Sequence, residues 1–380
     1  MPEIQDILLA YGDDYISKNT ITYIQQKVLN ALMKCRTSAL REHTTLCEDC
    51  GHLQISYNSC RNRHCPKCQT LSKEQWIENQ KYNLLDVGYF HVIMTVPDVL
   101  NPLILQNQKT CYNILFQAVS QTLKELSAAP KYLGAQIGFT SILHTWGQNL
   151  MFHPHIHCIV PGGGLNDLGR WIPTHKKFFL PAKVVSRKFR GKFLALLKEA
   201  FLNGVLEFHG QIKHLGSLQE FERFLTPLYQ KDWVVYCKPP FKKSSAVVEY
   251  LGRYTHRVAI SNNRIIDIKD GNVTFKWRDY KDHNKWKVMT VTAEEFIRRF
   301  LLHVLPSGFT KIRHYGLLGN RNKTEKLKVC KNLTNTPIIE KVILSTAQLI
   351  EKLIGKKAFL CPCCTVTSWS VTHATCHSNT

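Results

Sequence analysis

The chain has 380 residues, 44% of them hydrophobic, with 50 Lys and Arg against 28 Asp and Glu and a formal net charge of +22. The apolar share excludes a mainly disordered protein, and no run of 18 apolar residues marks a membrane-spanning helix. So large a basic excess points to a polyanionic partner, of which nucleic acid is the commonest.

Residues 1–42 read as helical, with apolar positions at Ile4, Ile7, Leu8 and Tyr11 and again at Ile21, Ile24, Val28, Leu29 and Leu32. Residues 43–70 read as loop, rich in Cys, His, Asn and Arg. Phe90 to Val96 is a β-branched run closed by Pro97, and residues 100–127 read as one or two helices. Strands are expected at Gly138–Trp146 and His155–Val160, the second turned by Pro161-Gly162-Gly163-Gly164. A mostly helical insertion follows over 165–230, then a strand at Trp233–Cys237 stopped by Pro239-Pro240. Ser244-Ser245 suits the N-cap of a helix through Tyr250 and Tyr254. A hairpin is expected around Asp270-Gly271-Asn272, and an amphipathic helix from Thr292 to Val304. From about residue 320 the chain turns polar. This order predicts an α+β architecture, an antiparallel sheet backed by helices.

Five cysteines, Cys47, Cys50, Cys60, Cys65 and Cys68, fall within 22 residues. Cys47-x-x-Cys50 and Cys65-x-x-Cys68 are fourteen residues apart, a spacing that predicts one structural zinc held by those four thiolates, with Cys60 or His64 able to replace a member. The start, Met1-Pro2-Glu3-Ile4-Gln5-Asp6, shows no export signal, so the CxxC pairs read as metal ligands and the expected location is the cytoplasm, at the nucleoid. A further CxxC candidate, Cys361-Pro362-Cys363-Cys364, lies near the end, with His373, Cys376 and His377 as possible completing ligands.

His155 and His157 flank one residue in a strand and therefore share a face. Two imidazoles so placed can hold one divalent ion, Mg²⁺ or Mn²⁺, and the third ligand is open between Gln148 and His144. An imidazole pair plus one more ligand leaves positions for phosphate oxygens. Tyr250 and Tyr254, four apart, share one face of a helix. They lie in residues 231–330, which hold 21 Lys and Arg against 9 Asp and Glu, +12 of the net +22. Arg253, Arg257, Lys242 and Lys243 are candidate DNA contacts and would favour phenolate over phenol.

Taken together, Asn58–Gln69, Tyr89–Pro97, His144–Gln148 leading into His153-Pro154-His155-Ile156-His157, and Tyr250–Arg257 resemble the HUH endonucleases, and more closely the two-tyrosine rolling-circle transposases of bacterial insertion sequences. The resemblance spans about residues 40–320. It implies an HUH-like catalytic sheet over 86–320, after an N-terminal helical and zinc-binding domain over 1–85; nothing of it is carried over to residues 321–380, which composition alone marks as a polar tail with a possible further CxxC metal site. It also implies that His155 and His157 bind the catalytic metal, and that Tyr250 and Tyr254 are nucleophiles forming 5′-phosphotyrosine links. The expected substrate is DNA, as single strands or hairpin ends of the protein's own element. A plasmid replication initiator or relaxase shares this chemistry, and a zinc-ribbon DNA-binding regulator without catalysis is the reading from a different class.

Overall fold

The computed structural model describes residues 1–175, 179–241, 247, 250, 252, 255, 256, 258–280, 282–355, 360–367 and 369–374. These form two compact units, each gathered from separated stretches. One takes residues 1–78, 256–304 and 341–380, and the other 79–255 and 305–340. The units interleave along the chain, a different division from the consecutive one read in the sequence.

The second unit is built on a five-stranded antiparallel sheet. Its strands are β3 (Tyr89–Thr95), β4 (Gly138–Trp146), β5 (Phe152–Pro161), β8 (Val235–Phe241) and β12 (Ile312–Gly316), in the order β12-β4-β5-β3-β8. Strand alternation sorts its side chains. Val92, Met94, Ile156, Cys158 and Val160 are fully buried on one face. Helices α5 (Gln108–Ala128) and α6 (Ala182–Leu202) pack on the sheet and on each other. The facing pairs Thr95↔His155, Ile93↔His157, His91↔Ile159 and His144↔His155 put His91, His144, His155 and His157 together on the other face.

Burial of that many apolar groups, at roughly 25 cal/mol per Å², makes the sheet a stiff platform for the histidines. The glycines after β5 serve close approach as much as turning. A Cβ on Gly164 would stand 2.5 Å from the Gln136 carbonyl oxygen, and one on Gly163 2.5 Å from the Trp171 ring. The expected insertion contains a small hairpin, β6 (Gly163–Leu165) with β7 (Trp171–Pro173), before α6 and α7 (Leu218–Gln230).

In the first unit, α1 (Ile4–Lys18) and α2 (Tyr23–Met33) form the expected N-terminal pair. The stretch read as loop contains a hairpin, β1 (Glu42–Cys47) with β2 (Leu53–Tyr57), and then α3 (Pro66–Lys81). Strand β13 (Trp369–Ala374) adds to the free edge of β1, so residues from the tail complete a three-stranded sheet. A second three-stranded sheet joins β9 (Ile265–Lys269), β10 (Asn272–Asp279) and β11 (Lys285–Thr292). The helix Ala293–Leu301 covers one of its faces, with Phe275 against Phe296 at 5.8 Å.

Candidate functional site

The histidine face of the five-stranded sheet holds a cluster of ligand atoms. His144, His155 and His157 each offer a ring nitrogen, all within 4.8 Å of one another. His144 and His157 are buried, and His144 stacks on Trp146 at 4.7 Å. The Nδ1 of His155 lies 2.6 Å from the His153 carbonyl oxygen, so that N–H donates there and Nε2 is left with its lone pair outward. The two Nε2 atoms of His155 and His157 are 3.0 Å apart. Two nitrogens about 2.1 Å from one ion at right angles would be about 3.0 Å apart, so the pair suits neighbouring positions of an octahedral site. Of the two candidate third ligands, His144 lies in the cluster, and Gln148 lies half-buried in the turn between β4 and β5.

A hydrogen-bonded path leads from this cluster to Tyr250. His157 Nδ1 is 2.7 Å from His91 Nε2, and His91 Nδ1 is 2.7 Å from the Tyr250 hydroxyl. Tyr250 is helical, half-buried, and packs against Phe241 with ring centroids 4.6 Å apart. Burial, with Lys238 and His155 nearby, pushes the His91 imidazole down to about 3, so it stays neutral with one N–H and one acceptor. The direction of the path then follows from His157. If its Nε2 holds a metal, its proton sits on Nδ1 and donates to His91 Nε2. The N–H of His91 is then on Nδ1 and donates to the tyrosine oxygen. His91 is a residue of this cluster that sequence reasoning misses. Its signal is a histidine inside the apolar run Phe90–Val96, in phase with Ile93 and Thr95 rather than with Val92 and Met94.

Tyr254, Arg253, Arg257, Lys242 and Lys243 lie outside the described residues.

The cysteines fall into two tetrads rather than the single one expected. Cys65 and Cys68 converge with Cys35 and Cys60, and Cys47 and Cys50 with Cys361 and Cys364. The hairpin explains the division. Cys47 and Cys50 flank its tip, whereas Tyr57, opposite Glu42, ends β2 at its base, about 13 Å away at 3.3 Å per residue. There the Arg36 N–H donates to Asn58 and the Asn58 N–H to Arg41, which brings the following cysteines beside Cys35. In the first tetrad Cys35 and Cys60 each lie 3.6 Å from Cys68 between sulfurs, and Cys65 lies 3.6 Å from Cys35. Tetrahedral thiolates at 2.3 Å from zinc stand about 3.8 Å apart, so the spacing fits that ion. His64, the alternative to Cys60, is in neither tetrad.

The outer face of the sheet β9-β10-β11 is basic and aromatic. Lys276 and Arg278 on β10 pair with Val288 and Trp286 on β11. All four are exposed, and Arg278 lies over the Trp286 ring at 5.2 Å. Tyr280 is exposed as well, whereas Trp277 is half-buried.

Comparison with known proteins accounts for this combination. Residues 7–96 match the transposase zinc-binding domain of the IS91 type, and residues 138–326 match a transposase domain described as "Putative transposase". A "Putative transposase y4qJ" of Sinorhizobium fredii is 47% identical over 369 residues, 96% of this chain and 93% of its own. The chain belongs to the IS91-type insertion-sequence transposases. The transposase for insertion sequence element IS801 of Pseudomonas savastanoi pv. phaseolicola is 27% identical over 78% of this chain and 71% of its own. No solved structure matches. Among the described residues, no helix of this transposase is long and apolar enough to cross a membrane.

Proposed function

We propose that this transposase cleaves one DNA strand and transfers it through tyrosine–DNA links, at a divalent metal held by His155, His157 and His144. The observation that supports this reading is the convergence of the three imidazoles, linked through His91 to the Tyr250 hydroxyl. A bound Mg²⁺ or Mn²⁺ would polarise the scissile phosphate. The residues do the rest. The His91 N–H, donating to the tyrosine oxygen, favours phenolate over a phenol whose ordinary pKa is near 10. That oxygen, its proton lost to solvent, attacks phosphorus, the P–O3′ bond breaks, and the 3′ oxygen leaves and takes a proton from solvent. Tyr254 is the second nucleophile, acting on the partner strand in transfer.

The substrate in this reading is a single strand or hairpin end. The exposed Trp286, Tyr280, Lys276 and Arg278 supply rings for unpaired bases and cations for phosphates. Zinc in the cysteine-rich module is structural, because four thiolates leave no open position. The test is a labelled single-stranded element end incubated with protein and Mn²⁺. A covalent adduct on a denaturing gel is expected, lost with EDTA and lost in His155→Ala plus His157→Ala. An adduct that persists in both would overturn the metal assignment.

A further inference from the structure

We propose that Cys47, Cys50, Cys361 and Cys364 form a second structural zinc site, a zinc ribbon closed by cysteines from opposite ends of the chain. Their sulfurs all lie within 4.8 Å of one another, with Cys47 3.5 Å from Cys364 and Cys50 3.5 Å from Cys361. No disulfide links them. The two CxxC turns are built alike. The Gly51 N–H donates to the Cys47 carbonyl at 2.9 Å, and the Cys47 N–H to His52 at 2.9 Å. The Thr365 N–H donates to the Cys361 carbonyl at 2.8 Å, and the Cys361 N–H to Val366 at 2.9 Å. Each turn places its fifth residue in the left-handed region, Gly51 at φ 70° and Thr365 at φ 60°.

That conformation costs glycine little but is unfavourable for a β-branched threonine. It persists at Thr365 because it aims two cysteines at one point. Each turn adjoins a strand of the same sheet. The first joins β1 to β2, the second precedes β13, and β13 pairs with β1 from Cys47↔Trp369 onward. Two such turns facing each other bring four sulfurs within 4.8 Å of one another, the donor set of structural zinc. Half of this donor set lies outside the zinc-binding match at residues 7–96. The site anchors the tail: with zinc bound, Trp369–Ala374 is held as a strand of the N-terminal module. Cys376 and His377, two of the possible completing ligands, lie outside the described residues, and Cys47 and Cys50 take that place.

The inference does not depend on the DNA chemistry. It is tested on the full chain carrying His155→Ala plus His157→Ala, so that the histidine cluster contributes no metal. Elemental analysis is expected to find two zinc ions per chain, and one after Cys361→Ser plus Cys364→Ser. One is also expected after Cys47→Ser plus Cys50→Ser, and still one when all four are changed together. A single tetrad of Cys47, Cys50, Cys65 and Cys68 would instead give one zinc in the parent and no loss in the tail variant, which would overturn the proposal. A second measurement needs no substitution. In the unaltered zinc-loaded protein, Cys47, Cys50, Cys361 and Cys364 should resist alkylation together and become reactive together on chelation, as read by peptide mass spectrometry. Rapid alkylation of Cys361 and Cys364 while Cys47 and Cys50 stay protected would also overturn it, as would iron in place of zinc.

Discussion

Two of the three candidate metal sites of this transposase, the histidine cluster and the ribbon tetrad, are assembled in opposite ways. The histidine cluster draws on neighbouring strands, with His144, His155 and His157 inside fourteen residues of sequence. The ribbon tetrad joins residues 311 and 317 positions apart. A hairpin sets the first locally, since antiparallel pairing and strand alternation put the imidazoles on one face. The second exists only once the chain's two ends have met. The histidine site should therefore tolerate loss of its ion with its sheet intact, whereas the cysteine module should lose structure with its zinc.

Breaking the histidine site gives the largest effect. His155→Ala plus His157→Ala should lower strand cleavage by at least about 10²–10³-fold. DNA binding by filter retention should stay within about threefold, because the basic face of β9-β10-β11 is untouched. Equal losses of binding and cleavage would make the histidines structural rather than catalytic.

Zinc removal sharpens the other half of the comparison. Stripping zinc should abolish protection of the β1–β2–β13 amides in hydrogen exchange while β3, β4 and β5 keep theirs. Uniform loss across both sheets would contradict the contrast.

His91 tests whether the path to Tyr250 matters. Because it acts through its neighbours, His91→Phe should lower the cleavage rate by about 10–100-fold at saturating DNA, the scale of partners that orient metal ligands. The apparent affinity for DNA should hardly change, and the pH dependence of the rate should move upward as the phenolate loses its donor. A change in affinity alone would assign His91 to packing.

These effects mark what can be read in the sequence. The pair His155 and His157 on one strand is legible, because alternation is a local rule. So are β3, β4, β5, the hairpin at Asp270-Gly271 and the helix after Thr292, which has an acidic first turn and a capping threonine. The grouping of the cysteines is not, since CxxC spacing shows that two ligands share an ion but not which pairs meet. Helix α3 is hidden because its sequence is polar, with only Gln69 and Ile77 buried. Strand β13 is hidden because its partner β1 lies some 320 residues earlier. His91 needs the register of β3 against β5, which the sequence does not contain.

Two smaller effects follow. Trp286→Ala should weaken single-strand binding by about 1–3 kcal/mol. Lys276→Ala plus Arg278→Ala should flatten the salt dependence by up to about 0.7 in log–log slope for each phosphate no longer neutralised. Unchanged binding and slope would place the DNA elsewhere. On the same sheet as the histidine cluster, burial, with Lys323 nearby, lowers the His314 imidazole to about 4, and its Nδ1 lies 2.9 Å from the Thr140 hydroxyl. The unfolded chain takes up that proton near pH 6.5 and the folded one only near 4. The contribution is therefore complete above about pH 6.5 and is lost progressively as pH falls towards 4, on the order of 3 kcal/mol. His314→Asn should flatten the fall in urea midpoint between pH 6.5 and 4.5, and an unaltered profile would remove His314 from the account.

The most direct test of the catalytic account is the identity of the residue joined to DNA. Wild-type protein, Mn²⁺ and a single-stranded element end should give an adduct that, after nuclease and protease digestion, carries its nucleotide on Tyr250 or Tyr254 in the mass spectrum. Tyr250→Phe alone should leave only the Tyr254 adduct and block completed strand transfer, and Tyr250→Phe plus Tyr254→Phe should give none. An adduct that survives the double substitution, or maps to any other side chain, would contradict the account.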